Sequence, residues 1–320
     1  MAMYNNFYGF SEEPFNLNPD PRFLYLALSH MEALSSMMQG IKERKNTIVV
    51  TGEVGVGKTI LIYALLKDLG EKIRTAFVFQ TRLDFKNLLK NILQDLEVPL
   101  NGNEASMQSL MAEFRNYLNE RYTQDETVAI IIDEAQSLDA EVLEGLLRLS
   151  TMGSPAAKVL QIVLVGHPEL EMKLNSGSLR QFKEKIGLRC RIKPLTRNEG
   201  RGYLKHRLNL VGRNISDFIT PEAADRIWEF AGGIPRIMNL LCAQTFVIGE
   251  RKSSQKIDSK IVSEGIKDLG HLRPSKSRIL PRERSNGRPH YPVVRILFLL
   301  FSVSLFLLSI GKILSLLFLK

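Results

Sequence analysis

Apolar residues recur along this chain in two alternating rhythms. Short runs rich in β-branched residues fall at Thr47–Thr51, Thr75–Phe79, Val128–Ile132, Leu160–Val165 and Cys190–Leu195. Continuous apolar runs of that length predict strands buried on both faces. Between them the spacing changes to the three-to-four-residue period of helices, over Lys58–Leu69, Phe85–Leu96, Ser106–Arg121 and Leu138–Leu149. Strand–helix alternation of this kind predicts an α/β fold, a parallel sheet with helices on both faces. Ahead of it lies an irregular lead containing Pro14, Pro19 and Pro21, then a helix from about Ser29 to Glu43.

After Pro194 the pattern is helical only. Thr196 with Glu199 has the spacing of a capping box, Thr220-Pro221 reads as an N-cap followed by proline in the first turn, and Gly232-Gly233 stops that helix. Pro235 opens another helix, and Asp258 caps a last one ending near Gly270. The expected division is a sheet domain over 1–195 that includes the lead, then a small all-helical domain over 196–270. Residues 271–292 are rich in Pro, Arg and Ser without periodicity, the composition of a linker.

The last segment is of a different kind. Ile296–Gly311 carries no charge, and 293–319 is apolar except at Arg295 and Lys312. At 1.5 Å per residue, 296–319 reaches roughly 36 Å, enough to cross a bilayer core of about 30 Å. It is apolar on every face, so a transmembrane helix over 293–319 is expected rather than an amphipathic one. Lys312 can snorkel toward the far interface.

Charge sharpens this picture. The chain has 320 residues, 44% apolar and 24% charged, with a formal net charge of +9. Residues 271–320 hold nine Lys or Arg against Glu283, which is +8, leaving +1 for the first 270 residues. A nearly neutral body argues against nucleic acid as a partner. The basic stretch 273–295 ahead of the span predicts a cytoplasmic body by the positive-inside rule and contact with anionic lipid. The opening residues have neither a basic region nor an apolar run, so no signal peptide is read there. Cys190 and Cys242 lack metal-ligand spacing and read as buried small hydrophobes.

The candidate chemistry lies in two short segments. Gly52-Glu53-Val54-Gly55-Val56-Gly57-Lys58-Thr59 fits the phosphate-binding pattern, with Ile60 next on the following helix. The glycines let successive N–H groups point at phosphate oxygens, and the helix N-terminus adds its positive end. Lys58 is placed for the β- and γ-phosphates, and the Thr59 hydroxyl for Mg²⁺. The second segment is the run Val128–Ile132 ending in Asp133-Glu134. A strand delivering two carboxylates sets Asp133 at the metal and Glu134 beside an attacking water. ATP and Mg²⁺ are the expected ligands, with water as the acceptor.

The order of these motifs, with Val165-Gly166-His167-Pro168 and then Gly233-Ile234-Pro235-Arg236, resembles the AAA+ ATPases typified by general secretion pathway protein A. Their relatives serve pilus biogenesis and exosortase-linked polysaccharide export. The matching stretches are 8–15, 19–24, 52–59, 132–136, 160–170 and 233–242, so the resemblance spans about residues 4–270. It implies a P-loop AAA+ sheet with a helical lid, at the bacterial inner membrane. It implies a nucleotide-dependent homo-oligomer, a ring or a dimer, working with inner-membrane assembly or secretion proteins. Arg236 takes the place of the lid residue that reaches the γ-phosphate. His167 stands where the family usually carries Gln, and Lys185 where it often has Arg. The arginine a neighbouring subunit contributes is sought among Arg180, Lys185 and Arg189, with Arg189 the first candidate. The residues around Phe23–Tyr25 are candidates to wall the adenine. Two other readings stay open: a nucleotide-gated membrane scaffold with weak hydrolysis, and an ATPase of the DNA-transposition or initiator type.

Overall fold

A computed structural model describes residues 4–79, 83–100, 106–150, 158–176 and 179–270. Five strands, β1 (Thr47–Gly52), β2 (Ile73–Val78), β3 (Thr127–Ile132), β4 (Leu160–Gly166) and β5 (Ile186–Ile192), form one parallel sheet in the order β2-β3-β4-β1-β5. Side chains alternate across a strand, and here both faces are apolar. Val128, Ile130 and Ile132 enter one buried cluster, whereas Ala129 and Ile131 enter the other.

Among the described residues, eight α-helices lie before and between the strands in chain order. These are α1 (Tyr4–Tyr8), α2 (Leu28–Lys42), α3 (Lys58–Asp68), α4 (Phe85–Asp95), α5 (Met107–Thr123), α6 (Ala140–Ser150), α7 (Pro168–Leu174) and α8 (Arg180–Glu184). Met37 and Ile41 of α2 with Leu61, Ile62 and Leu65 of α3 fill one face, and α4 to α8 fill the other. The remaining helices are α9 (Arg197–Leu210), α10 (Ile215–Phe218), α11 (Pro221–Ala231), α12 (Pro235–Arg251) and α13 (Ser259–Asp268). Their ends carry the caps the sequence announces. Thr196 and Glu199 close a reciprocal capping box on α9, Thr220 caps α11, Gly232 ends it in the left-handed region, and Asp258 caps α13.

Two elements differ from the sequence reading. β5 runs over Ile186–Ile192 rather than from Cys190 to Leu195, because it is an edge strand. Its apolar residues Ile186, Leu188, Cys190 and Ile192 alternate with Gly187, Arg189 and Arg191, so a search for a continuous apolar run catches only its end. Pro194, which has no N–H to give a ladder, follows it.

The lead is the second difference. The apolar pattern groups it with the sheet, yet its side chains pack into the core formed by α9 to α13. Tyr4, Tyr8, Phe10 and Phe15 surround Phe246, with Phe15 stacked on that ring at 5.6 Å. Arg207 fastens the contact. Its guanidinium donates to the Pro14 carbonyl and, at 2.8 Å, to that of Asn16, and it lies 4.2 Å over the Phe23 ring. Only 4% of Arg207 is exposed. Arg207→Ala would strand the Pro14 carbonyl and leave that of Asn16 only the 3.4 Å contact from Asn239 Nδ2, and a loss of about 2–4 kcal/mol is expected. Urea melts would register it, and faster proteolytic clipping within residues 4–27 would place it. An unchanged midpoint would mean the clasp contributes nothing.

Among the described residues no helix is long and apolar enough to cross a membrane. The linker expected at 271–292 and the span expected at 293–319 lie outside the described residues.

Candidate functional site

The carboxyl ends of three adjacent strands, β3, β4 and β1, meet at one edge of the sheet. In parallel α/β sheets this edge is where ligands bind. β1 runs out at Gly52, the loop 53–57 turns, and α3 begins at Lys58. Lys58 folds back into its own loop. Its Nζ donates to the carbonyls of Gly52 (3.0 Å) and Glu53 (3.1 Å), and it is 5% exposed. Burial lowers the pKa of this ammonium, while the charges of Glu134, Asp133, Glu53 and Glu169 act the other way.

Against the loop lies a cleft of about 390 Å³. Its walls include Val54 through Ile60, Glu134, His167 and Arg236 of the expected residues, with Phe23, Leu24 and Tyr25 from the lead. Gly52 and Glu53 sit behind them as the acceptors for Lys58. The first turn of α12 rests on the loop itself, where the Arg236 amide donates to the Gly55 carbonyl at 3.2 Å. A Cβ on Gly55 would stand 2.6 Å from the Cβ of Arg236, so this approach requires glycine.

The carboxylate pair meets the loop from β3. Thr59 Oγ1 donates to Asp133 Oδ2 at 2.5 Å, and the Glu134 amide donates to Asp133 Oδ1 at 2.8 Å. Asp133 is fully buried. Burial raises its pKa, with the neighbouring Glu134 charge in the same direction, and the two hydrogen bonds and Lys58 only partly oppose that. A buried carboxylate beside a hydroxyl is a hard-oxygen donor set that fits Mg²⁺, which takes one or two protein ligands plus phosphate oxygens and water. Among the described residues no group of three or more His, Cys, Asp or Glu could hold a metal by itself.

The shift has a direct consequence for stability. Because the folded pKa of Asp133 lies above the unfolded one, ionised Asp133 destabilises the fold at neutral pH. That penalty fades as pH falls through the folded value and is gone below the unfolded one. Asp133→Asn keeps the shape without the charge, its oxygen accepting from the Glu134 amide and its NH₂ donating to the Thr59 hydroxyl, which turns to accept. In buffer free of metal and nucleotide it should therefore melt a few degrees above the unmodified protein at neutral pH. The gap should close in acid. A lower melting temperature at neutral pH would show that the carboxylate is stabilising.

Three other expected residues lie elsewhere. Arg189 is on edge strand β5 and pairs with Glu171, Arg180 pairs with Glu184 on α8, and Lys185 is exposed at the end of that helix. None of the three lines the cleft.

The structure also adds residues whose roles the motifs did not reveal. His30, in the first turn of α2, is 3% exposed and places Nε2 2.8 Å from the Val56 carbonyl. A carbonyl only accepts, so Nε2 carries the proton; among the described residues Nδ1 has no hydrogen-bond partner. Burial lowers the pKa of His30, against weaker contributions from the Val56 hydrogen bond and Glu199. Gln136 joins the ends of β3 and β4. Tyr203, Arg207 and Asn239 close the cleft from the helical side.

Comparisons with known proteins place the fold. Residues 41–174 match the family model described as an AAA domain. This stretch is an AAA domain. Outside it, similarity extends over most of the chain. General secretion pathway protein A of Aeromonas hydrophila is 32% identical over 274 residues, which cover 84% of this chain and 50% of that protein. This chain thus spans about half the length of that relative. An uncharacterized HTH-type transcriptional regulator of Methanocaldococcus jannaschii is 24% identical, covering 85% of this chain and 76% of its own. The ORC2 protein of Aeropyrum pernix, solved in ADPNP–ADP complexes, superposes with a TM-score of 0.65 at 17% identity. That match covers 84% of this chain and 74% of the other, and it shows the shared fold. The AAA domain contains β1 to β4 and the residues at their carboxyl ends, so loop, carboxylates and His167 all belong to it.

Proposed function

We propose that this protein binds ATP with Mg²⁺ in the cleft and hydrolyses it. The observation that carries the reading is the Thr59–Asp133 hydrogen bond at 2.5 Å, which joins the phosphate loop to the carboxylate strand. In this reading the amides of 54–60 and Lys58 hold the phosphates, and Thr59 and Asp133 hold Mg²⁺. Held there, Mg²⁺ would supply charge neutralisation to the phosphates. Glu134 orients water and accepts its proton as the oxygen adds to the γ-phosphorus and the bond to ADP breaks. Arg236, whose backbone already touches the loop, reports the γ-phosphate to the helices 196–270, which act as a lid. Phe23 and its neighbours wall the base.

The same reading makes the chain a membrane-tethered ATPase that drives or switches assembly of an envelope apparatus for secretion, pilus formation or polysaccharide export. The similarity to a general secretion pathway protein supports this, as does the apolar sequence at 293–319 preceded by basic residues. Its body faces the cytoplasm from the bacterial inner membrane, with 273–295 on anionic lipid. A neighbouring copy would contribute Arg189, Arg180 or Lys185, all of them outside the cleft of their own chain.

The test is phosphate release by the full-length protein in detergent and in anionic liposomes, with and without Mg²⁺. Mg²⁺-dependent turnover that rises with protein concentration is expected. Nucleotide binding without turnover would favour a nucleotide-gated scaffold, a reading that His167 at 3.5 Å from Glu134 supports. Salt-sensitive binding of duplex DNA would favour the initiator-like reading.

A further inference from the structure

At the top of β3 and β4 one side-chain amide touches both strands. Gln136 Nε2 donates to Glu134 Oε2 at 2.7 Å, and Gln136 Oε1 accepts from the His167 backbone N–H at 3.0 Å. The orientation is not interchangeable. A backbone N–H only donates, so the amide oxygen must face His167 and the NH₂ must face the carboxylate.

The surroundings are built for this contact. A Cβ on Gly166 would lie 2.6 Å from Gln136 Oε1, so glycine leaves the space that the amide occupies. Lys173 on α7 donates to the carbonyls of Gln136 and Leu138, both at 2.7 Å, which fixes the turn from outside. Glu134 itself has φ 53° and ψ 32°, a left-handed conformation that a non-glycine residue keeps only where its neighbours impose it. His167 Nε2 stands 3.5 Å from the same Oε2. Both neighbours therefore address one oxygen of Glu134.

We infer that Gln136 is a positioning residue for hydrolysis, a clamp that holds Glu134 by Oε2, turns Oε1 toward the water, and ties that orientation to the end of β4 at His167. The inference rests on the proposed ATPase reading. A general base acts only within hydrogen-bond reach of its proton, so loosening the carboxylate reduces turnover without changing the phosphate contacts. Any displacement of the His167 backbone on nucleotide binding is passed through the amide to the base.

The experiment compares the full-length protein with Gln136→Met and Gln136→Ala. Met keeps the length and packing and donates nothing. Both should lower kcat tenfold or more per nucleotide-binding site while KM and the ATP dissociation constant stay within about twofold. Gln136→Glu, which sets a second carboxylate against Glu134, should also move the acid limb of the pH–rate profile to higher pH. If Gln136 only tied the strands together, Gln136→Met would lower the melting temperature and leave kcat per site unchanged. That result, or a raised KM at unchanged kcat, overturns the inference. Turnover that Glu134→Gln abolishes but Gln136→Met and Gln136→Ala preserve would leave the ATPase reading intact and remove this one alone. No turnover in the unmodified protein removes both.

Discussion

Lys58→Ala is expected to weaken Mg²⁺-ATP binding at least a hundredfold while leaving the fold intact. The two halves of that expectation have separate causes. A hydrogen bond from an ammonium to phosphate contributes about 1.5–3 kcal/mol, and in the proposed reading Lys58 serves two phosphates. A hundredfold corresponds to roughly 2.7 kcal/mol. Stability should move little, because the ammonium already bears the cost of burial that lowers its pKa. Removing it lifts that cost but orphans the Gly52 and Glu53 carbonyls that it now satisfies. Differential scanning fluorimetry separates the two. At a hundred times its dissociation constant, ATP should stabilise the unmodified protein by roughly 2.7 kcal/mol, several degrees in melting temperature. Lys58→Ala should show the same baseline and, at the same ATP concentration, a stabilisation of no more than about 0.4 kcal/mol. An equal ATP-dependent shift in the variant would mean the phosphates do not sit on this loop.

That structure also says what binding has to accomplish. Lys58 Nζ is engaged with carbonyls of its own loop, so a triphosphate must draw it out and substitute phosphate oxygens for Gly52 and Glu53. The buried, only partly compensated carboxylate of Asp133 has the opposite need, since a cation would relieve it. In the proposed reading substrate and metal would each correct a local electrostatic cost that the fold maintains, which is the trade of stability for function expected at such a site.

How much of this was legible in the sequence varies residue by residue. The loop 52–59 could be read because phosphate binding by backbone amides requires contiguous residues at fixed spacing. Asp133 and Glu134 could be read because they end an unmistakable apolar strand. The role of Gln136, which ends the matching stretch 132–136, could not, and neither could His30. The first matters only because β3 and β4 end side by side in the sheet order, and the second only because α2 packs against the loop, facts of tertiary approach that leave no local pattern. The lead shows the same limit in another form. Tyr4, Tyr8, Phe10 and Phe15 announce that they must be buried, but the partner, Phe246, lies more than two hundred residues away. β5 was misplaced for a simpler reason, since an edge strand with one exposed face alternates instead of running apolar.

Glu134→Gln should lower kcat by about a hundredfold to ten-thousandfold, the range for removing a positioned general base, while ATP affinity stays unchanged or rises. Glutamine preserves length and planarity and can still meet Gln136 through its carbonyl oxygen, so the turn after β3 should keep its shape. What it loses is the ability to take a proton from water. In the proposed reading the phosphate-holding Lys58 and the metal-holding Thr59 and Asp133 are untouched, and ATP should therefore remain bound unhydrolysed. Nucleotide recovered from gel-filtered protein after incubation with Mg²⁺-ATP should be ADP for the unmodified chain and ATP for the variant. If copies of this chain assemble across their clefts, the variant should also hold the assembled state longer, visible as a persistent increase in mass by light scattering. A variant that turns over at the unmodified rate would show that the base lies elsewhere, and His167, 3.5 Å from the same carboxylate, would be the next group to replace.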